Sequence, residues 1–393
     1  MYIAMLGRQP ELGIAELERV YGDVRWFAHD SALVDSDTFD VQRLGGTIKA
    51  GVVVRELTGT DWRKTSMELV KIYHRKWSDA PGKITLGISA HGFTITAKDV
   101  GRTAHILKSK LKDSGVSVRM VPNEQPVLSS ASSHHNKLGL SSNKVELMVV
   151  RGHGGKVIIA ESTGAQNITA LANRDQARPA RDAFVGMLPP KLALIMTNLA
   201  VGKLQPKTDE SHLTILDPFC GTGVILQEAA LLMHSVYGTD VSEKMVRYSR
   251  ENIQWLEEKY KIRAGWYLHE GDAVETIWRQ PIDVVATEAY LGQPFSAPPS
   301  PSKLAEVRQT CDTIISKFLK NMSNQIQSGT PLCIAIPAWS NRDGTTFTRL
   351  NLVKKLDSLG YKPVEFKNIA AKDLLYYRPG QVVARDLLVI ERI

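Results

Sequence analysis

The stretch LDPFCGTGVIL, residues 216–226, changes character in its middle. Strand-like residues (Leu213, Ile215, Leu216) feed Asp217 and Pro218, then Gly221 and Gly223 one residue apart, then a hydrophobic helix start. Glycines in a strand-to-helix turn let the backbone approach a small ligand where a side chain would collide. A dinucleotide fingerprint asks for a third glycine, and this turn offers Leu226 in its place. Asp217 argues further against a dinucleotide, because it would sit where a pyrophosphate needs neutral amides. A carboxylate there suits a ligand carrying an ammonium or sulfonium charge. The sequence also lacks a positioned catalytic histidine or tyrosine–lysine pair, which disfavours a nicotinamide oxidoreductase.

The elements around this turn divide the chain. YIAMLG reads as a strand, Pro10 to Tyr21 as a helix, and WFAHDSALVDS as a strand pair. A helix from Thr65, the strand KITLGISAHG, the helix AKDVGRTAHILKSKLKDSG and the strands SVRMVPN, KVELMVVRG and KVIIAEST follow. Helices among strands without a phosphate loop predict an α+β region ending near Thr163. Residues 164–190 contain ANRDQARPARDAF and few apolar runs, which predicts a linker. After Leu188 a helix opens on prolines, and strands then alternate with helices through LTILDPF, SVYGTD, WYLHEGD, IDVVATE and PLCIAIPA. That order predicts a parallel sheet covered on both faces, with ligands beyond the carboxyl ends of the strands. KPVEFKNIA and QVVARDLLVIER, joined through YYRPGQ, predict a terminal antiparallel hairpin.

Composition bounds the partners. With 393 residues the chain exceeds one ordinary core, which predicts two or three domains. No run of eighteen apolar residues and no signal-peptide pattern occur, so the expected location is the cytosol, without a membrane. Cys220, Cys311 and Cys333 show no paired spacing and no nearby histidine pair, so reduced structural thiols are expected and no metal. Lys and Arg total 49 against 41 acids, a net charge of +8 that suits a polyanion. The basic residues gather between Lys98 and Arg119 and again from Lys137 to Lys156, so a nucleic-acid grip belongs in the N-terminal half.

LDPFCGTGVILQEAA resembles the first motif of class I S-adenosylmethionine-dependent methyltransferases, in the version found in RNA and DNA amino-methyltransferases. The resemblance implies a Rossmann-like methyltransferase domain with S-adenosylmethionine held by Asp217, Phe219, Gly221 and Gly223. It further implies that Asp240, ending the next strand, accepts the ribose hydroxyls, and that Asp272, beside Ala273, accepts the adenine amine. In that family the fourth strand ends in D/N-P-P-Y. There an acceptor side chain and a carbonyl take the N–H groups of a conjugated amine, and an aromatic ring stacks on the extruded base. This chain reads IDVVATEAYLGQPF at that place. Counting along the strand puts Glu288 at the acid, while aligning on the tyrosine puts Thr287 there. The preferred reading is a shortened loop with Glu288 as acceptor and Tyr290 as stacking face; the alternative is a methyl-donor site without competent chemistry.

The N-terminal half resembles the architecture of a ferredoxin-like domain followed by a THUMP domain, carried by LGISAHG, GRTAHILKSKLKDSGVSVRMV and SSASSHHNKLG. With DPFCGTG and LLYYRPGQVVARDLLVI, the resemblance extends to the tRNA guanine-N2 methyltransferases that modify position ten. It implies a ferredoxin-like domain at 1–62, a THUMP domain at 63–163 docking the tRNA acceptor end, a linker at 164–190 and the methyltransferase domain at 191–393. Arg102, Lys108, Lys110 and Lys112 on the basic helix, and His135 and Lys137 in a surface loop, are the expected RNA contacts, with Arg178 and Arg181 in the linker. Arg378 is expected to border the base pocket or to pair with an acid such as Glu288. A small activator subunit remains compatible with the sequence. The competing expectations are a methyltransferase for ribosomal RNA or another base, and an RNA-binding protein that keeps the cofactor pocket without turnover.

Overall fold

The structure is a computed structural model that describes residues 1–59, 61–182, 187–204, 212–295, 297–341 and 346–393. They form two compact units, Met1–Leu17 with Tyr21–Ala170, and Glu18–Val20 with Leu171–Ile393.

The first unit is built on one eight-stranded sheet. Its strands are β1 (Tyr2–Leu6), β2 (Val24–Ala28), β3 (Ser31–Val34), β4 (Thr47–Leu57), β5 (Ile84–His91), β6 (Val118–Met120), β7 (Lys144–Arg151) and β8 (Val157–Ala165). Their spatial order is β2-β3-β1-β4-β8-β7-β5-β6. β4 is a strand the sequence reading did not find. It pairs antiparallel with β8, from Lys49 opposite Ala165 to Leu57 opposite Val157. The strands of the two segments expected at 1–62 and 63–163 therefore share one sheet. α1 (Trp62–Trp77) starts on an Asp61 cap, whose Oδ1 accepts the Lys64 amide at 2.9 Å. α2 (Ala97–Asp113) starts on a reciprocal Thr96–Asp99 capping box. Both helices pack Leu69, Tyr73, Leu107 and Leu111 onto Ile84, Leu86 and Val149 of the sheet. A short helix at Ser130–His135 ends on His134 and His135, so His135 lies on a helix and not in the expected loop, which starts after it.

The second unit follows the alternation of the sequence. α3 (Pro190–Val201), β9 (Thr214–Asp217), α4 (Val224–Leu231), β10 (Ser235–Asp240), α5 (Glu243–Tyr260), β11 (Trp266–Glu270), β12 (Val284–Glu288), α6 (Pro301–Ser323) and β13 (Pro331–Ser340) succeed one another. The sheet order is β11-β10-β9-β12-β13-β17-β15, where β15 is Tyr361–Pro363 and β17 is Val383–Arg392, and β14 (Phe347–Thr348) pairs with β13 off this path. β9 to β13 are parallel, and β17 runs antiparallel between β13 and β15. The closing hairpin thus differs in detail from the expected one. YYRPGQ closes a tight turn between β16 (Leu375–Tyr376) and β17, while the strand in KPVEFKNIA is short and reached by a longer path. The expected linker 164–190 begins at the end of β8 and contains a helix at Ile168–Gln176. Its Arg174 donates through Nε and Nη2 to the two Glu228 carboxylate oxygens at 2.6 and 3.0 Å, both side chains buried. A buried ion pair holds this segment where an apolar run would otherwise be needed.

Two glycines of the cofactor turn adopt left-handed backbone, Gly221 at φ +50 and Gly223 at φ +78. A Cβ on Gly223 would lie 2.8 Å from Ser249 Oγ of α5, whereas one on Gly221 would meet open space. Gly223 is therefore demanded by packing of the turn on α5, and Gly221 by its conformation alone. Gly223→Ala is expected to lower stability by about 1–3 kcal/mol through left-handed strain plus this collision. Thermal denaturation of the whole chain measures it, and a melting temperature equal to wild type would contradict the packing argument. Among the described residues no helix is long and apolar enough to cross a membrane.

Candidate active site

From β9 the chain proceeds to β10 on one side, while β12 and β13 lie on the other. Such a reversal leaves a crevice at the carboxyl ends of the two middle strands. A cleft of about 810 Å³ opens there, lined by Asp217, Gly221, Asp240, Glu288, Tyr290 and Arg385 among others.

Asp217 ends β9 and is 2% exposed. Its Oδ1 accepts from Thr287 Oγ1 at 2.6 Å and from the Phe219 amide at 3.3 Å. Burial pushes its carboxyl up to about 7, against these two hydrogen bonds. Asp240 ends β10, and its Oδ2 and Oδ1 accept from the Gly221 and Ser242 amides at 2.9 and 3.0 Å. Burial raises its carboxyl above the ordinary value, partly offset by those bonds. On α5, Ser249 Oγ donates to the Gly221 carbonyl at 2.8 Å and Asn252 Nδ2 to the Thr222 carbonyl at 2.9 Å. These two side chains fix the turn, and the sequence reading missed them; their i, i+3 spacing facing a glycine-rich turn is the signal that was available. Phe219 lines the cleft and packs edge-on against Phe318, with ring centroids 5.2 Å apart.

Glu288 ends β12 and also lines the cleft. Its Oε1 accepts from Arg385 Nε of β17, a partner the sequence reading did not foresee. Thr287 is fully buried, and its hydroxyl is committed to Asp217. That bond stiffens the neighbouring acid. Tyr290 is 42% exposed at the mouth. Arg378 is exposed, with Nε donating to Tyr376 Oη at 3.0 Å, so the pairing with Glu288 falls to Arg385 instead. Residues 380–383 of the same turn line the cleft.

Asp272 and Ala273 lie outside the residues lining this cleft. Asp272 is exposed, and its Oδ1 accepts the Val274 amide at 3.0 Å as a cap of its own turn. Ala273 is buried, with its carbonyl accepting from Asn321 of α6. Arg181 is exposed and donates to the Gln176 carbonyl at 3.1 Å. Arg178 is 2% exposed, so it does not present a surface charge, and its guanidinium has no hydrogen-bond partner among the described residues.

In the first unit, Arg102, Lys110, Lys112, His135 and Lys137 are exposed, and Lys108 is half-buried. Lys110 joins Lys71, His74 and Arg75 of α1 along a groove of about 470 Å³ between α1 and α2. Lys71 and Arg75 stand four apart on one helix face, a spacing present in the sequence but not read there as basic.

A methyltransferase-domain family matches residues 209–371. The tRNA (guanine(10)-N2)-dimethyltransferase of Methanothermobacter thermautotrophicus is 29% identical over 180 residues, 45% of this chain and 47% of that protein. The enzyme of the same description from Pyrococcus abyssi is 38% identical over 79 residues, 20% of this chain and 21% of that protein. The chain therefore spans about half the length of the first curated relative and about a fifth of the second. The crystal structure of TrmN from Thermus thermophilus aligns over 100% of this chain and 99% of its own, with TM-score 0.52 and 15% identity, a likeness of fold. The chain is thus similar over part of its length to tRNA (guanine(10)-N2)-dimethyltransferases, and its second unit, of Rossmann-like fold, carries the stretch that matches a methyltransferase-domain family.

Proposed function

We propose that this chain transfers methyl groups from S-adenosylmethionine to the exocyclic N2 of a guanosine in tRNA, at position ten by likeness to its relatives. One observation carries the reading: the acids at the ends of β9, β10 and β12 line a single cleft at the point where the strand order reverses. The donor supplies an electrophilic methyl carbon on a sulfonium. Asp217 faces its cationic part, and Asp240 has lone pairs left for the ribose hydroxyls. Gly221 and Phe219 shape the floor, and Asp272 with Ala273, on the next strand end, is proposed for the adenine end.

The target amine is a weak nucleophile because its lone pair is delocalised into the ring. Glu288 accepts one of its N–H groups, which lets the nitrogen pyramidalise, while Tyr290 stacks on the extruded base. The new N–C bond forms as the C–S bond breaks, its electrons staying on sulfur, and the amine proton passes to the Glu288 carboxylate. The first unit supports the reading with its exposed cations. We take residues 1–62 as ferredoxin-like and 63–163 as a THUMP module that docks the tRNA acceptor end, in a cytosolic enzyme. A second reading, an RNA-binding protein without turnover, is favoured by one fact: Arg385 already occupies Glu288 Oε1.

The test is incubation with labelled methyl donor and unmodified transcripts of total tRNA, then mapping of the labelled base. N2-methylated guanosine is expected. Label confined to ribosomal RNA, or absent altogether, would overturn the proposal.

A further inference from the structure

Arg385 stands on β17 opposite Pro337 of β13 and Tyr376 of β16, and it reaches the end of β12 to meet Glu288. Both side chains line the cleft and are mostly buried, 12% and 19% exposed. Their bond engages one guanidinium N–H and one carboxylate oxygen. The terminal nitrogens of Arg385 and Oε2 of Glu288 have no other partner among the described residues.

A guanidinium beside a carboxylate presents donors next to an acceptor. Guanine presents the complementary edge, with O6 as acceptor followed by the N1–H and N2–H donors. Adenine carries an amino donor in place of O6 and no amine at C2, so it would set N–H against N–H. Guanidinium donation to guanine O6 is also the commonest specific contact between proteins and bases. A buried donor left without its acceptor is costly, and sites built this way reject the wrong ligand strongly.

We propose that Arg385 determines specificity: its terminal N–H groups donate to O6 of the target base while Glu288 Oε2 accepts from the amine edge, so the cleft takes guanine and refuses adenine. The inference rests on the reading of this cleft as a guanine-N2 methyltransferase site. It goes beyond that reading by adding a residue from the antiparallel strand, which amine activation alone does not call for.

The test separates recognition from mere support of Glu288. tRNA carrying guanosine at the target, and tRNA carrying 6-thioguanosine there, share the N1–H and the amine and differ only at the acceptor, since sulfur is a weak one. Wild type is expected to prefer guanosine by about ten- to a hundredfold in kcat/KM. Arg385→Gln is expected to lose that factor on guanosine and little on 6-thioguanosine, bringing the two within about threefold, while Arg385→Lys retains part of the preference. Should Arg385→Gln fail to fold, Arg385→Lys is read alone: a preference between that of wild type and parity supports the proposal, and a preference equal to that of wild type overturns it. Equal losses on both RNAs would make Arg385 a support for Glu288 and overturn the proposal, as would a wild type that treats both alike. No transfer to either RNA by wild type would overturn the underlying reading and this inference together.

Discussion

Glu288→Gln is expected to lower kcat by about 10²–10³ while methyl-donor affinity stays within about twofold of wild type. Glutamine keeps the shape and one acceptor oxygen but loses the negative charge. That charge matters most as the amine nitrogen becomes positive, in the transition state, so the loss belongs in kcat and not in binding. Among the described residues the Glu288 side chain makes no hydrogen bond to the turn that shapes the donor site; its partner is Arg385 on the far side of β13. The neighbouring Thr287 is fully buried, with its hydroxyl donating to Asp217. Single-turnover kinetics with saturating donor check this, alongside calorimetric titration of donor. A variant whose kcat lies within about threefold of wild type would remove Glu288 from the chemistry.

Methyl-donor affinity is expected to rise about twenty-fivefold from pH 5.5 to pH 7.5, and Asp217→Asn is expected to flatten that dependence. Burial holds the Asp217 carboxyl at about 7 in the free protein. Its ionised fraction therefore grows from about 3% to about 75% over that interval. A cationic ligand binds the ionised form, so binding draws the proton off, and the penalty is largest at low pH. Folding runs the opposite way. The ordinary value of 3.8 is raised on folding, so the stability linked to this proton is full below about pH 4 and lost as pH rises through about 7. A bound cation offsets the cost of the buried charge, so the thermal shift produced by donor should grow with pH. Titration calorimetry at several pH values decides the matter, and an affinity independent of pH would mean that Asp217 does not face the charge.

The second unit was readable because its signals are local. A strand, a bent glycine turn and a helix recur in LDPFCGTGVIL, and alternating elements leave few topologies. Gly223 was placed correctly in the turn, but its reason, the Ser249 side chain beneath it, is a contact that no local pattern displays. Arg385 was invisible for a related cause. It sits 97 positions from Glu288, inside a strand whose neighbours read as ordinary alternation. In the first unit β4 escaped notice because its inward face includes Lys49, whose Nζ meets Glu146 Oε1 at 2.6 Å in the interior. A buried ion pair writes a polar letter where a periodicity argument expects an apolar one. The Arg174–Glu228 pair misled in the same way, so a segment held by charge was read as a linker. Arg178, expected as an RNA contact on the same grounds of composition, is buried.

The central claim is that the acids ending β9, β10 and β12 hold a charged methyl donor with its reactive carbon aimed at residues 287–292. A crystal structure of the whole chain with S-adenosylhomocysteine tests it most directly. The account predicts the product in the cleft, its ribose hydroxyls on Asp240 and its sulfur facing Glu288 and Tyr290. A cleft left empty at saturating ligand, or a sulfur turned away from that loop, would contradict it.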